Sequence, residues 1–456
     1  MSRTMSSAKA RSFTPSTART FLIVVSVLAL SSTAFAANDR ETKVRKDKAD
    51  VEADDYWIYN DLPRGVAEAK KSGKPLLVVF RCIPCDACAK FDEQVVRRDP
   101  VVRGLMDRYV PVRIVHANGM DLSQFQFDFD QSFAAFLLNA DLTIYGRFGT
   151  KSQREDESQD MTMEGFARTL EAGLKLHERF PQVKASLTAK RAELMPVKSP
   201  EQFPTLKGKY DDRIHYEGNV VQSCIHCHQV REAERRHYRD AKKPIPDQSL
   251  FAFPMPATVG IQMDATQAAR IKSVADDSSA ARDGFRSGDE LVSLAGQPII
   301  SIADVQWVLH NARDVDVLKA IVKRDGKSVP LSLTLDEGWR RRQPISFRAT
   351  TWDLRRMTTG GLVLEELNDA EREKHGIGDD SLALRVKYVG QYNEHAAGKN
   401  AGFRKEDVFV AINGESSRMS ETDFIARSLR SAPKGTKIAV KVLREGKTLE
   451  LQLPMQ

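Results

Sequence analysis

Apolar positions are unevenly spread along the chain. The run Phe21 to Leu30 is continuous and follows twenty residues that hold Arg3, Lys9, Arg11 and Arg19 and no acid. With the small-residue stretch STAFAA behind it, this pattern predicts an export signal over residues 1–36. Its apolar core is shorter than the roughly 20 residues that a bilayer span needs, so cleavage after Ala36 is expected rather than anchoring. Residues 37–55 read as a polar linker. KPLLVVF, Lys74 to Phe80, is nearly continuous and rich in valine and leucine, as a buried parallel strand requires. After it Phe91 and Val95, then Val102, Leu105 and Met106 beyond a break at Asp99-Pro100, recur at helical spacing. VPVRIV predicts the next strand, and LLNADLTIYGRFGT a hairpin with Asn139 and Asp141 in its turn.

From Pro181 to Pro254 the periodicity weakens, and the polar, proline-interrupted PVKSPEQFPTLKGKYDDRIHYEGNVVQ predicts loops around one short unit. Beyond it lies an internal repeat. AARDGFRSGDELVSLAGQ, Ala280 to Gln297, aligns without gaps on GKNAGFRKEDVFVAINGE, Gly398 to Glu415, at an offset of 118. Gly284 falls on Gly402, Asp289 on Asp407 and Gly296 on Gly414. Each copy continues into a helix, SIADVQWVLHNA or SETDFIARSLRSA, and ends in a hairpin, KRDGKSVPLSLTL or LREGKTLELQL. The second copy carries an insertion, EELNDAEREKHGIGDDS, and Glu406 where the first has Gly288. DEGWRRRQPISFRATTWDLRR, Asp336 to Arg356, joins the copies; Trp339 and Trp352 are placed to pack across them, and its arginines read as a solvated face.

Charge and composition narrow the function. Removing the four basic residues of the leader lowers the formal charge from +7 to +3, with no concentrated basic run, so nucleic acid is not an expected partner. After cleavage no apolar run long enough to span a membrane remains, and the mature protein is expected to be soluble. At ~150 residues per domain the length suggests about three domains. The 5 cysteines are too few for a disulfide-stapled scaffold and fall in two clusters, which points to chemistry.

Cys85 and Cys88 sit at a predicted strand-to-helix junction, where free amides and the helix dipole stabilise a thiolate. Their spacing lets the second thiol resolve a mixed disulfide formed by the first. A static disulfide or a metal-binding thiolate set is the other reading. Cys82 adds an overlapping pair, Cys82-Ile83-Pro84-Cys85, but no fourth cysteine completes an iron–sulfur pattern. The arrangement resembles the thioredoxin-like fold over Tyr56 to Phe180, since Cys85 follows the strand phenylalanine Phe80 by five residues. The resemblance implies that Cys85 attacks and Cys88 resolves. Where the family usually has a cis-proline, this chain reads Ser132-Phe133-Ala134-Ala135.

The second cluster, Cys224-Ile225-His226-Cys227-His228, matches C-x-x-C-H, in which both thiols bond a haem and the histidine, here His228, binds its iron. Export makes one covalent haem c the expected cofactor. Zinc would need four ligands from residues spaced too closely to converge, and a second redox disulfide lacks a persuasive preceding strand. Met255-Pro256 in FPMPATVG resembles the methionine-proline of small cytochromes c, making Met255 the candidate distal ligand, with His237 and His215 as rivals.

The repeat resembles the PDZ domains of bacterial envelope proteins, through GF-x-x-x-D-x-(V/L), the following strand and turn glycine, the helix and the closing hairpin. Such domains take a peptide C-terminus as an added strand, its carboxylate held by loop amides. The candidate loops are Val259-Gly260-Ile261 and Gly360-Gly361-Leu362. The expected fold class is a multidomain α/β and α+β protein: a thioredoxin-like domain at 56–180, a haem-attachment segment at 181–254, and PDZ domains at 255–337 and 357–456 joined by 338–356. The order resembles secreted bacterial thioredoxin-like/PDZ proteins, a family that includes selenoproteins. The expected function is an exported redox protein of the periplasm or cell envelope, with a thiol or electron-transfer partner and PDZ modules that recruit proteins. The alternatives are an envelope scaffold or adaptor whose thioredoxin-like domain is not catalytic, and a soft-metal-handling protein.

Overall fold

A computed structural model describes residues 39–456 apart from 84–88, 96–98, 151, 153–159 and 193–194. The leader and the pair Cys85 and Cys88 therefore lie outside the described residues. The first unit is a five-stranded sheet in the order β1-β3-β2-β4-β5, from β1 (Ile58–Tyr59), β2 (Leu76–Arg81), β3 (Val110–Ile114), β4 (Phe133–Leu138) and β5 (Ile144–Phe148). The first three strands are parallel, and β4 and β5 are antiparallel to their neighbours. Every residue of β2 and β4 is buried, which is why β2 reads as a continuous apolar run. The predicted hairpin closes through Asn139 N donating to Thr143 O at 2.8 Å.

The helices of this unit are α1 over residues 39–53, α2 (Leu62–Ser72), α3 (Pro100–Met106) and α4 (Met163–Glu178). The predicted break at Asp99-Pro100 is the start of α3, where the Asp99 carboxylate accepts from Val102 N at 2.8 Å. The expected polar linker is instead the helix α1, docked by charges. Glu41 accepts from Val220 N and Val221 N at 3.1 Å each, Arg45 donates to Tyr216 O and Gly218 O, and Asp47 pairs with Arg113 at 2.8 Å.

The largest departure from expectation is segment 181–254. Phe203, Ile225, Cys227, Val230 and Ala233 belong to the same apolar cluster as Val78, Phe80 and Phe136 of the sheet and Phe125 of the loop after β3. The helix α5 (Cys227–Asp240) thus covers one sheet face, while Phe166 and Leu170 of α4 pack with Val79 and Phe133 on the other. Hydrophobic periodicity could not reveal α5, because its buried side carries Arg231, Glu234, Arg235 and Arg239 as well as Val230 and Ala233.

The first copy of the repeat holds β6 (Ile261–Met263), β7 (Ile271–Val274), β8 (Glu290–Leu294), β9 (Gln297–Pro298), β10 (Asp316–Arg324), β11 (Lys327–Leu335) and α6 (Ile302–Asn311). β6 and β7 form a two-stranded pair, and the rest a sheet in the order β11-β10-β8-β9. The second copy holds α7 (Thr351–Thr359), α8 (Asp369–His375), α9 (Glu421–Ser431) and one sheet, β12 (Leu362–Glu366), β13 (Leu384–Val389), β14 (Val408–Ile412), β15 (Lys437–Arg444) and β16 (Lys447–Pro454), ordered as numbered. Both copies are built on the same fixture. Asp289 accepts from Arg286 N and Arg324, and Arg324 donates to Gly284 O; Asp407 accepts from Arg404 N and Arg444, and Arg444 donates to Gly402 O.

The first copy seals the open edge of the thioredoxin-like sheet. Arg147 N in β5 donates to the Asp304 carboxylate at 3.2 Å, Ser301 donates to Arg147 O, and Lys190 Nζ lies 2.9 Å from the same Asp304. A Cβ on Gly146 would come within 2.4 Å of Ile300 Cδ1, so this approach requires glycine. Every residue of α6 from Ile302 to His310 is buried. Trp339 is buried in the core of the first copy, and Trp352, 41 % exposed, meets Tyr388 of the second edge-on. The expected solvated arginine face holds only for Arg341 and Arg342; Arg340, Arg348, Arg355 and Arg356 are buried, each paired with a carboxylate. Among the described residues no helix is long and apolar enough to cross a membrane.

Candidate functional site

β2 carries the chain to Cys82, whose backbone N donates to Ser132 O at 3.0 Å, so the 132–135 stretch, which lacks the proline the resemblance led one to expect, contacts Cys82. Beneath it Asp92 takes both Nη atoms of Arg113 at 2.8 Å, and Arg81 Nε lies 3.3 Å away. Cys82 Sγ is 3.4 Å from His226 Nδ1. His226 caps α5, its N donating to Gln229 Oε1 at 2.8 Å. Cys82 of the first cluster and His226 of the second therefore meet just beyond the carboxyl end of β2.

Asn118 holds the second cluster in place. Its Oδ1 accepts from Ile225 N at 2.8 Å, its Nδ2 donates to Ser223 O and Asp211 O at 2.9 Å each, and Ala117 N donates to Ile225 O. Cys224 and Cys227 are 5 % and 7 % exposed. Burial pushes the Cys224 thiol up to about 12 and Cys227 well above its ordinary value, and the neighbouring Cys82 adds to both. Burial also pushes His226 down to about 4. His228 Nε2 lies 3.3 Å from Asp130 O.

A covalent haem needs both thiols and the histidine to border one open volume. As packed, these residues do not fit it: the thiols face the sheet and His228 faces the Asp130 backbone. Met255 lies in the first repeat, its Sδ accepting from Thr150 Oγ1 at 3.2 Å and Gln306 Nε2 at 3.3 Å, in a different apolar cluster from Cys227. His215 pairs with Asp211 at 2.7 Å, and His237 stands against Phe203 and Tyr238. Among the described residues no group of three or more His, Cys, Asp or Glu is placed to hold a metal ion.

Sequence reasoning missed a cavity of about 600 Å³ at the carboxyl ends of the parallel strands, where α/β sheets place ligands. Tyr59, Phe80, His116, Met120, Phe125 and Tyr216 line it. Burial pushes His116 down to about 4. The available signal was a histidine two residues beyond VPVRI.

The peptide loops differ between copies. Gly260 has a left-handed φ of +88°, its N donating to Ala257 O, between the buried Val259 and Ile261. Among the described strands β6 is hydrogen-bonded to β7 alone. In the second copy Gly360 and Gly361 both donate to Arg355 O, and Leu362 is buried. There the outer edge of β12 is covered: Leu364 N donates to Glu421 Oε1 at 2.8 Å, and the Glu421 carboxylate also binds Arg355 at 2.6 Å and Ser346 Oγ at 2.7 Å.

This geometry agrees with the family comparisons. Residues 57–140 match the family model described as thioredoxin-like, and residues 257–335 match the PDZ domain. The chain thus carries a thioredoxin-like domain and a PDZ domain. It is 29 % identical over 189 residues to a DegP-like protein of Pseudomonas savastanoi pv. phaseolicola described as a probable periplasmic serine endoprotease, covering 41 % of this chain and 37 % of that one. Identity to the periplasmic pH-dependent serine endoprotease DegQ of Escherichia coli K12 is 24 % over 189 residues, covering 41 % and 37 %. The chain therefore spans well under half the length of these relatives. Among solved structures, the HtrA-type protease AlgW with a decapeptide is 16 % identical with a TM-score of 0.20, covering 31 % of this chain and 42 % of that one. The HtrA3 PDZ domain bound to a phage-derived ligand is 22 % identical with a TM-score of 0.14, covering 17 % and 72 %.

Proposed function

We propose that the chain is an exported envelope adaptor whose first repeat, the PDZ domain, takes the C-terminus of a protein partner as an added strand. The second repeat, read as a further PDZ domain, and the thioredoxin-like domain hold it rigidly. The observation that carries this reading is the left-handed Gly260 between the buried Val259 and Ile261, at the start of a strand, β6, that pairs with β7 alone among the described strands. Burial of α6 against β5 fixes the helix that would flank the peptide. Export rests on the leader sequence and on relatives described as periplasmic. The test is titration of full-length protein with a labelled peptide ending in an apolar residue, as free carboxylate and as amide. Strand addition with carboxylate capture predicts tight binding of the free acid and a large loss for the amide; equal or absent binding of both defeats it.

A second reading is thiol–disulfide chemistry at Cys85 and Cys88, supported by the contact of the neighbouring Cys82 with the second cysteine cluster, with electron transfer through a haem on Cys224, Cys227 and His228, which these residues as packed do not fit. It requires the first turn of α5 to leave the sheet for haem attachment. Protein matured in a cytochrome-producing host should then carry a covalent haem spectrum that Cys224→Ala abolishes.

A further inference from the structure

We propose that Cys82, Cys224 and Cys227 form one internal thiol–disulfide exchange unit, in which the Cys224–Cys227 disulfide is the oxidised store and Cys82 the thiol that draws on it. This gives Cys224 and Cys227 thiol chemistry in place of the haem attachment of the second reading, and does not depend on peptide capture.

Three observations converge. Cys82 Sγ touches the ring of His226, the residue between Cys224 and Cys227 in the sequence. Cys82 is held in place by its N–H to Ser132 O, so it presents its sulfur from the end of a fully buried strand. The Cys224 to Cys227 turn is pinned by Asn118 and by the cap of α5, both thiols are buried, and Cys82 is near enough to raise each of them. A C-x-x-C turn entering a 14-residue helix is the local geometry in which two thiols interchange with a disulfide. Here that turn faces a third cysteine instead of solvent, so the nearest exchange partner belongs to the same chain.

A small-molecule or protein disulfide oxidises Cys224 and Cys227, each of its sulfurs leaving as a thiol. The Cys82 sulfur then bonds to Cys227 Sγ as the Cys224–Cys227 bond breaks. Cys224 departs with the electron pair and takes up the proton given up by Cys82, so one disulfide and one thiol enter the step and one of each leaves it.

The test uses full-length exported protein from a host that matures c-type cytochromes. In the Cys85→Ser/Cys88→Ser/Cys224→Ser variant only Cys82 and Cys227 remain. Oxidised glutathione should link the tryptic peptide holding Cys82 to the one holding Cys227, and dithiothreitol should reverse the link. Separate glutathione adducts on the two peptides, with circular dichroism matching the wild type, would overturn the proposal. Wild-type protein keeps the test independent of the variant's folding: oxidation should give the same cross-link alongside the Cys224–Cys227 disulfide. A Cys85–Cys88 disulfide without any cross-link sinks the exchange unit and spares the dithiol reading, whereas haem bonded to Cys224 and Cys227 overturns the exchange unit outright.

Discussion

Cys82 Sγ and His226 Nδ1 lie 3.4 Å apart although 144 positions separate them in the chain. That contact makes the start of α5 part of the thioredoxin-like unit, so the C-x-x-C-H motif belongs to a packed core and not to a connecting loop. The same burial that shields the two thiols places His228 over the Asp130 backbone, directly above a charged network that ties three parts of the chain together.

The network is centred on Arg348, fully buried between Asp128 at 2.7 Å and Asp130 at 3.2 Å. Burial raises Asp128 despite Arg348, whereas Arg348, Arg235 and the Thr350 amide outweigh burial at Asp130 and hold it at about 2. Arg348→Ala would strand two buried carboxylates and should cost about 3–5 kcal/mol, read as a fall in the urea midpoint. Arg348→Met should cost less when paired with Asp128→Asn.

Glu421 closes the β12 edge through Leu364 N and neutralises the buried Arg355. Glu421→Ala should destabilise by about 3–5 kcal/mol, because it leaves an unpaired buried guanidinium and an unmet amide. Glu421→Gln keeps an acceptor for Leu364 N and should lose less. Chemical denaturation of both variants orders them.

Glu406 sits at φ +70°, where the first copy has Gly288 at φ +88°. A side chain there strains the backbone, so Glu406→Gly should stabilise by about 1 kcal/mol despite the added freedom of the unfolded chain. A raised thermal midpoint with unchanged secondary structure is the expected result.

Acid should weaken the fold between about pH 6.5 and pH 4. His310 is pushed well below its ordinary value by burial and by Arg231, Arg340, Arg348 and Arg147, and burial brings His116 down to about 4. In that window the unfolded chain binds protons that the folded chain refuses, so stability falls as pH falls, by up to ~1.4 kcal/mol per unit for each histidine. Urea midpoints at stepped pH should drop, and His310→Gln should flatten the slope.

The elements legible in the sequence were those with apolar periodicity or turn chemistry: β2, β3, the hairpin at Asn139, the helix start at Asp99, and both copies of the repeat with their glycine and aspartate fixtures. Among the helices the sequence did not show, α1 and α5 share one cause. α1 is anchored by Glu41, Arg45 and Asp47, and α5 by arginines and Glu234, so their buried sides look like solvated ones. The buried linker arginines were misread for the same reason, since pairing with distant carboxylates such as Asp128 and Glu421 leaves no local trace. His116 and Tyr216 come together only because Asn118 draws the 211–225 stretch onto the end of β3.

The claim that the C-x-x-C-H segment is core can be measured by hydrogen–deuterium exchange of the native full-length protein, comparing peptides covering 224–231 with those covering β2. The account predicts that Ile225 and the first turn of α5 are protected as strongly as β2 and open only with global unfolding. Exchange within seconds, as for an exposed loop, would contradict it.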